Sequence, residues 1–133
     1  DVAAGDKNAS GTYFQGGLVR IWAGPLSGTL DNSNATYEIE GSSTSQKFGH
    51  YTKNPGDING DGFDDLLTST YYSDNLGHLI YGPITGNTDA SQMDTAFENC
   101  RNIQALGDTD GDGLDDFSCG GTTPDFWYLG EAL

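Results

Sequence analysis

Two nine-residue segments with the same spacing of acidic residues and glycines constrain this chain more than any other feature. They are residues 57–65 (DINGDGFDD) and residues 108–116 (DTDGDGLDD). Both have an oxygen-bearing side chain at positions 1, 3, 5 and 9 and glycine at position 6, and an apolar residue follows each directly. Calcium takes about six to eight oxygen ligands from carboxylates, amides, backbone carbonyls and water. A loop with acceptors on alternate residues can surround such an ion, so both segments are predicted to bind Ca²⁺.

The spacing assigns the same ligand positions to both loops. We expect side-chain oxygens at positions 1, 3, 5 and 9 and a backbone carbonyl at position 7, whose side chain would face the core. Glycine at position 6 supplies a left-handed turn that a Cβ would resist. The predicted ligands are Asp57, Asn59, Asp61, Phe63 and Asp65 in the first loop and Asp108, Asp110, Asp112, Leu114 and Asp116 in the second. The second loop has four ligand carboxylates against three, so it is expected to hold calcium more tightly.

The residues after each loop indicate strands rather than helices. A helix–loop–helix calcium site requires glutamate at position 12, where this chain has Thr68 and Cys119. Residues 66–72 (LLTSTYY) include β-branched and aromatic residues and lack helical spacing, which favours a strand. Both loops are therefore predicted to lie inside β-hairpins. A metal-free turn is the alternative, since Asp, Asn and Gly are common in turns, but five carboxylates within the second loop would repel one another strongly without a cation.

The chain as a whole is strongly acidic, with 20 acidic residues, five basic residues and a net charge of −15. Two bound Ca²⁺ ions add four positive charges and bring the formal charge from −15 to −11. Nucleic acids and anionic membranes require a basic surface, so neither is expected as a partner. No apolar run approaches the roughly 18 residues of a membrane-spanning helix, so membrane insertion is not expected either.

The sequence repeats itself at intervals typical of a repeat protein. Asp1, Asp65 and Asp116 each begin a similar stretch, at offsets of 64 and 51 residues. Further apolar runs follow at residues 17–24, 77–82 and 126–130, and the later units are each expected to open with a short strand, near residues 48–51 and 102–106. Four short strands in each period are typical of a propeller blade.

The middle unit resembles the FG-GAP repeat, the blade unit of the integrin α-subunit propeller. The resemblance rests on Phe48-Gly49, on residues 56–67 with the first acidic loop, and on residues 77–82. It implies an all-β fold, a calcium-binding β-propeller segment of about two and a half four-stranded blades, open or completed by partner chains. The predicted divisions are residues 1–46 for a partial first blade with strands 2–4, residues 47–99 for the second blade, and residues 100–133 for an incomplete third blade.

The resemblance also implies an extracellular or cell-surface protein that acts in adhesion, protein–protein interaction or surface assembly and is not an enzyme. A protein partner or further copies of the chain are expected, because an unclosed propeller leaves strand edges to be covered. Two alternatives stay open. One is a carbohydrate-binding, lectin-like propeller in which Trp22 and Trp127 form aromatic platforms for a glycan. The two tryptophans lie in equivalent strands of their units, however, which favours a role in packing between blades. The other is a non-catalytic part of a secreted enzyme.

Cys100 and Cys119 are the only two cysteines, and their spacing is not that of a zinc or redox motif. A simple hairpin about the second loop does not place them opposite each other. A bend before Asn102 would still allow a disulfide, which would fit an oxidising compartment. Two buried thiols are the alternative.

The remaining candidate residues give weaker indications. His50 and His78 have no acidic or thiol neighbour at a spacing typical of catalysis, so they are expected to be half-buried strand residues. Asn8 and Asn34 begin Asn-X-Ser/Thr patterns and are candidate N-glycosylation sites.

Overall fold

The computed structural model describes residues 1–72, 75–121 and 126–128, the last three as backbone only. These residues form short β-strands and one turn of 3-10 helix, Ala90–Gln92. In chain order the strands are β1 (Val2–Asp6), β2 (Leu18–Trp22), β3 (Tyr37–Glu40), β4 (Thr52–Gly56), β5 (Asp65–Ser69), β6 (Gly77–Ile80), β7 (Thr88–Asp89), β8 (Thr95–Phe97), β9 (Asn102–Gly107), β10 (Asp116–Gly120) and β11 (Phe126–Tyr128). Among the described residues, no helix is both long and apolar enough to cross a membrane.

The strands form three sheets, and the prediction of an all-β, blade-like architecture is confirmed. The first sheet has the order β1-β2-β3-β7, the second β4-β5-β6-β8 and the third β11-β10-β9. Within each sheet, strands that are adjacent or nearly adjacent in sequence pair antiparallel, with the exception of β7. Short strands joined by loops suit a chain with 20 glycines.

The second sheet lies between the other two, and this explains its apolar strands. Successive side chains of a strand point to opposite faces. Leu67 and Leu79 pack in one buried cluster, while their neighbours Leu66 and Ile80 pack in another. The first cluster joins the second and third sheets and contains Ile58, Leu67, Leu79, Phe97, Cys100, Ile103, Phe117 and Cys119. The second joins the first and second sheets and contains Val19, Ile21, Ile39, Phe48, Leu66, Ile80 and Ala90.

One strand lies later in the chain than predicted. The second unit opens with β4 at Thr52–Gly56 rather than at residues 48–51. Phe48 is fully buried and forms only an isolated parallel bridge with Gly17. Gly49 has φ +79°, which interrupts an extended strand, and a Cβ there would meet the carbonyl oxygen of Leu18 at 2.8 Å. Phe48 and Gly49 therefore contact the first unit, while His50 and Tyr51 form hydrogen bonds with the backbone of Ser69 in β5 without extending β4.

The second unit also completes the first sheet. β7 pairs in parallel with β3, with Ile39 opposite Thr88 and Glu40 opposite Asp89. The side-chain oxygen of Asn87 accepts a hydrogen bond from the backbone N–H of Glu38 at 2.8 Å. This short strand covers part of an edge that would otherwise present unpaired backbone groups.

Candidate metal centres

Both acidic loops connect antiparallel strands, as predicted. The first joins β4 to β5, where Gly56 pairs with Asp65, and the second joins β9 to β10, where Gly107 pairs with Asp116. Position 1 of each loop thus follows a strand directly, and position 9 is the first residue of the next strand. The two ends of each loop are held side by side by the sheet.

The carboxylate at position 1 organises the backbone of each loop. Asp57 accepts hydrogen bonds from the N–H groups of Gly60 at 2.7 Å and Gly62 at 2.8 Å. Asp108 accepts the same two bonds in the second loop, from positions 4 and 6, at 2.6 and 3.0 Å. Gly62 has φ +88° and the equivalent glycine has φ +93°, so both occupy the left-handed turn that the sequence predicted.

Positions 3 and 5 also repeat their contacts. In the first loop, Asn59 Oδ1 accepts from the N–H of Asp61 at 3.0 Å, and Asp61 Oδ1 accepts from the N–H of position 7 at 2.9 Å. In the second loop, Asp110 accepts from Asp112 at 3.1 Å, and Asp112 accepts from position 7 at 2.8 Å. The two loops therefore adopt one backbone arrangement although their residues differ at positions 2, 3 and 7.

The carboxylate at position 9 is buried in both loops. Asp65 is 3% exposed and Asp116 is 0% exposed. Each accepts a hydrogen bond from the N–H of position 2, at 2.9 Å in the first loop and 2.8 Å in the second, where the hydroxyl of Thr109 also donates. Burial raises the pKa of the Asp65 carboxyl, while hydrogen bonds from the N–H groups of Gly82 and Ile58 oppose that rise.

The second loop brings three predicted ligands together. Asp108, Asp110 and Asp116 each place one carboxylate oxygen so that all three oxygens lie within 4.8 Å of one another. Ligands on opposite sides of one calcium ion are about 5 Å apart, because each Ca–O distance is about 2.3–2.6 Å. The spread and the all-oxygen donor set therefore fit a calcium ion. Asp112 is outside this group and its role as a ligand stays a prediction.

The first loop has the same backbone but a weaker donor set. Asn59 contributes an amide oxygen where the second loop has a carboxylate. Within the described ranges, Asp57, Asp61 and Asp65 do not form a three-carboxylate group of the kind found in the second loop. Their roles as ligands, and those of the carbonyls of Phe63 and Leu114, stay predictions.

The prediction that the side chain at position 7 faces the core is wrong for the first loop. Phe63 is 51% exposed, whereas Ile58, at position 2, is 0% exposed and belongs to the buried cluster between the second and third sheets. The backbone N–H of Ile58 donates to the buried carboxylate of Asp65 at 2.9 Å, and its side chain packs in this cluster. The available sequence signal was that Ile58 is the one aliphatic residue in this loop.

The two cysteines form a disulfide with a Cα–Cα distance of 4.9 Å. The chain bends before Asn102, at Asn99, which has φ +55°. The N–H of Cys100 donates to the carbonyl of Asn75 at 2.9 Å. Cys119 pairs with Ile103 in the adjacent strand rather than with Cys100 directly. The disulfide closes the base of the hairpin whose tip is the second acidic loop.

The two histidines lie away from the acidic loops. His78 is 3% exposed in β6, so it is more buried than predicted. His50 is half-buried, with its ring centroid 4.5 Å from that of Tyr71. The charged groups of Lys7 and Arg101 form cation–π contacts with the same Tyr71 ring. Burial lowers the pKa of His50, and the positive charges of Lys7 and Arg101 lower it further.

The aromatic and asparagine candidates have mostly structural contacts. Trp22 is 7% exposed, so it does not form a surface platform for a glycan. The Trp22 indole N–H donates to Asn34 Oδ1 at 2.8 Å, and Asn34 Nδ2 donates to the carbonyl of Thr29 at 2.8 Å. Asn8 is exposed. The side chain of Trp127 lies outside what the structure describes.

Comparison with known proteins identifies the middle unit. Residues 55–92 match the family model of the FG-GAP repeat. The match contains the first acidic loop and strands β5, β6 and β7. No curated protein matches the chain. The chain thus contains an FG-GAP repeat, which is a β-propeller element, and the resemblance seen in the sequence is confirmed for this unit.

Proposed function

We propose that this chain is a calcium-stabilised FG-GAP segment of an extracellular protein, with a non-catalytic role in adhesion, protein–protein interaction or surface assembly. One observation carries the proposal: two acidic loops of different sequence share one hydrogen-bonded backbone. The FG-GAP repeat supports a propeller-type interaction domain. The disulfide supports an oxidising compartment.

Calcium would be held by the side-chain oxygens at positions 1, 3, 5 and 9 of each loop and by the position 7 carbonyls. The bound ion supplies positive charge that offsets the repulsion between neighbouring carboxylates. Burial of Asp65 and Asp116 makes that charge more important, because a buried carboxylate without a cation is costly. Since the loop ends lie in paired strands, ion binding is coupled to folding of the hairpins.

Thermal unfolding with saturating calcium and with a calcium chelator tests the proposal. We expect the chelator to lower the melting temperature by about 10 °C, from a linkage of a few kcal/mol in a domain of this size. A protein with both Asp61→Ala and Asp112→Ala serves as the control, since it should melt at nearly the same temperature in both conditions. Equal melting temperatures for the unmutated chain would overturn the proposal.

A protein partner or further copies of the chain would cover the outer sheets. The second sheet has a neighbouring sheet on each face, whereas in the described part of the chain the first and third sheets each pack against the second sheet alone. A sheet with one uncovered face gains stability by burying it. The molar mass of the native protein, measured by light scattering over a range of concentrations, distinguishes self-association from the need for a different partner.

A further inference from the structure

The two candidate metal loops are joined by hydrogen bonds at Asp115. Asp115, at position 8 of the second loop, accepts a hydrogen bond through Oδ2 from the backbone N–H of Asp57 at 3.0 Å. The N–H of Asp115 donates to the carbonyl of Asp57, also at 3.0 Å. Asp57 is position 1 of the first loop. A residue of the second loop therefore holds the backbone of a predicted ligand in the first.

The chain makes room for this link. A Cβ on Gly56 would overlap the carboxylate of Asp115, and Gly56 has φ +97°. Gly107 precedes the second loop in the same way and has φ +71°, but the nearest neighbouring atom would lie 3.9 Å from its Cβ. Leu114 also approaches the first loop, since its Cδ2 would lie 2.9 Å from a Cβ on Gly60. The glycine before the first loop is thus closely approached by a side chain of the other loop, whereas the glycine before the second loop has no such close neighbour.

The equivalent residue of the first loop has a different contact. Asp64, also at position 8, accepts a hydrogen bond through Oδ2 from Asn54 Nδ2 at 2.8 Å. Asn54 belongs to β4, which is part of the same hairpin as Asp64. The chain therefore provides its own comparison between a position 8 carboxylate that joins two loops and one that does not.

We propose that Asp115 couples the two metal sites, so that calcium in either loop raises the calcium affinity of the other. This inference rests on the proposed function, since it requires both loops to bind calcium. An ion in the second loop fixes positions 7 and 9, on either side of Asp115. Asp115 in turn fixes the backbone of Asp57, so less freedom is lost when the first loop closes on its ion. Asp115 is a positioning residue and not a ligand.

Calcium titration by calorimetry measures the coupling. One protein carries Asn59→Ala and Asp61→Ala and retains only the second site, and another carries Asp110→Ala and Asp112→Ala and retains only the first. The product of the two association constants of the unmutated chain, divided by the product of the two single-site constants, gives the coupling factor. We expect a factor of about five, at the lower end of typical couplings between sites.

Three substitutions, each combined with the same set of proteins, assign the coupling to the hydrogen bond. Asp115→Ala removes the side-chain acceptor and leaves only the backbone bond from the N–H of Asp115 to the carbonyl of Asp57, so the factor should fall from about five to about two or less. Asp115→Asn removes the charge but keeps an oxygen that accepts from the N–H of Asp57, so the factor should stay near five. Asp64→Ala should also leave it unchanged. Circular dichroism checks that each protein is folded, and Asp115→Ser, whose side chain is too short to span the contact, replaces Asp115→Ala if that variant does not fold.

The outcomes separate the two proposals. If both single-site proteins bind calcium and the factor for the unmutated chain is one, the coupling is wrong and the proposed function stands. If Asp115→Asn lowers the factor as much as Asp115→Ala, the effect is one of charge and the positioning role is overturned. If no protein binds calcium, the proposed function fails and the coupling fails with it.

Discussion

Asn34 shows how one exposed polar residue can hold a buried aromatic side chain in place. Its Oδ1 accepts hydrogen bonds from the indole N–H of Trp22 at 2.8 Å and from the backbone N–H of Asp31 at 2.9 Å. Its Nδ2, the atom that glycosylation would modify, donates to the carbonyl of Thr29 at 2.8 Å. In this candidate glycosylation residue, both the oxygen and the nitrogen of the side-chain amide therefore form hydrogen bonds within the protein.

We expect Asn34→Ala to lower the free energy of unfolding by about 1–3 kcal/mol, because the Trp22 indole N–H keeps only its longer hydrogen bond, 3.3 Å to the carbonyl of Asp31, and the bonds of Asn34 to Asp31 and Thr29 are lost as well. Urea unfolding followed by tryptophan fluorescence measures the change. Asn32→Ala is the matched control, since Asn32 is exposed in the same loop, and it should change stability by less than about 0.5 kcal/mol. Equal losses in the two variants would contradict the role given to Asn34.

The acidic loops allow a second prediction at the scale of single residues. Asp112 is a predicted ligand at position 5, whereas Asp64 at position 8 is not, although both carboxylates are exposed. With calcium present, Asp112→Ala should lower the melting temperature by several degrees more than Asp64→Ala, because removal of one ligand weakens the ion's stabilisation of the fold. Thermal melts of both variants with calcium and with chelator measure this difference. Similar melting temperatures for the two variants would count against the ligand assignment.

At the scale of elements, the hairpin of β9 and β10 is held at both ends. The disulfide between Cys100 and Cys119 closes its base, and the second acidic loop forms its tip. Both cysteines belong to the buried cluster between the second and third sheets. The hairpin therefore depends on a covalent bond at one end and, in the proposed function, on an ion at the other.

Removal of the disulfide should lower the free energy of unfolding by about 3 kcal/mol, as expected for cysteines separated by 19 residues. The change is measured by urea unfolding of the unmutated chain with and without reductant, at saturating calcium. A protein with Cys100→Ala and Cys119→Ala should be destabilised to a similar extent and should not respond to reductant. If reductant leaves the free energy of unfolding of the unmutated chain unchanged, the disulfide does not stabilise the hairpin.

At the scale of the whole molecule, repulsion between like charges opposes folding. The chain has a formal charge of −15, and Arg20 with Glu38 is the one ion pair between side chains found among the described residues. Nine of the 20 acidic residues lie in the two loops. A compact state with so much charge of one sign is destabilised by this repulsion, and both bound cations and dissolved salt reduce it.

This leads to a prediction about salt. Sodium chloride should raise the melting temperature of the calcium-free protein by more than it raises that of the calcium-loaded protein, whose formal charge is −11 once two ions are bound. Melts at low and high salt, with chelator or with saturating calcium, give the two increments. Equal increments would mean that the repulsion relieved by salt lies outside the two loops.

The sequence alone determined the features that depend on neighbouring residues. The strand after each acidic loop, the hairpin position of the loops and the left-handed turn at Gly62 and Gly113 all follow from spacing within about ten residues. The strand at residues 102–106 was predicted from the repeat of the units along the chain and is β9. Local sequence patterns suffice to predict these features because the backbone N–H and C=O groups involved find their hydrogen-bond partners within the same loop or hairpin.

Only the tertiary structure decided which distant groups meet. Alternation within a strand shows that Leu66 and Leu67 face opposite ways, but not that each face has its own sheet. The pairing of β7 with β3 joins residues 49 positions apart, and the link from Asp115 to Asp57 joins residues 58 positions apart. Such contacts depend on how the sheets pack and on where the chain bends. They are stabilised by burial of surfaces that lie far apart in the sequence, and the local hydrophobic pattern does not show which surfaces meet.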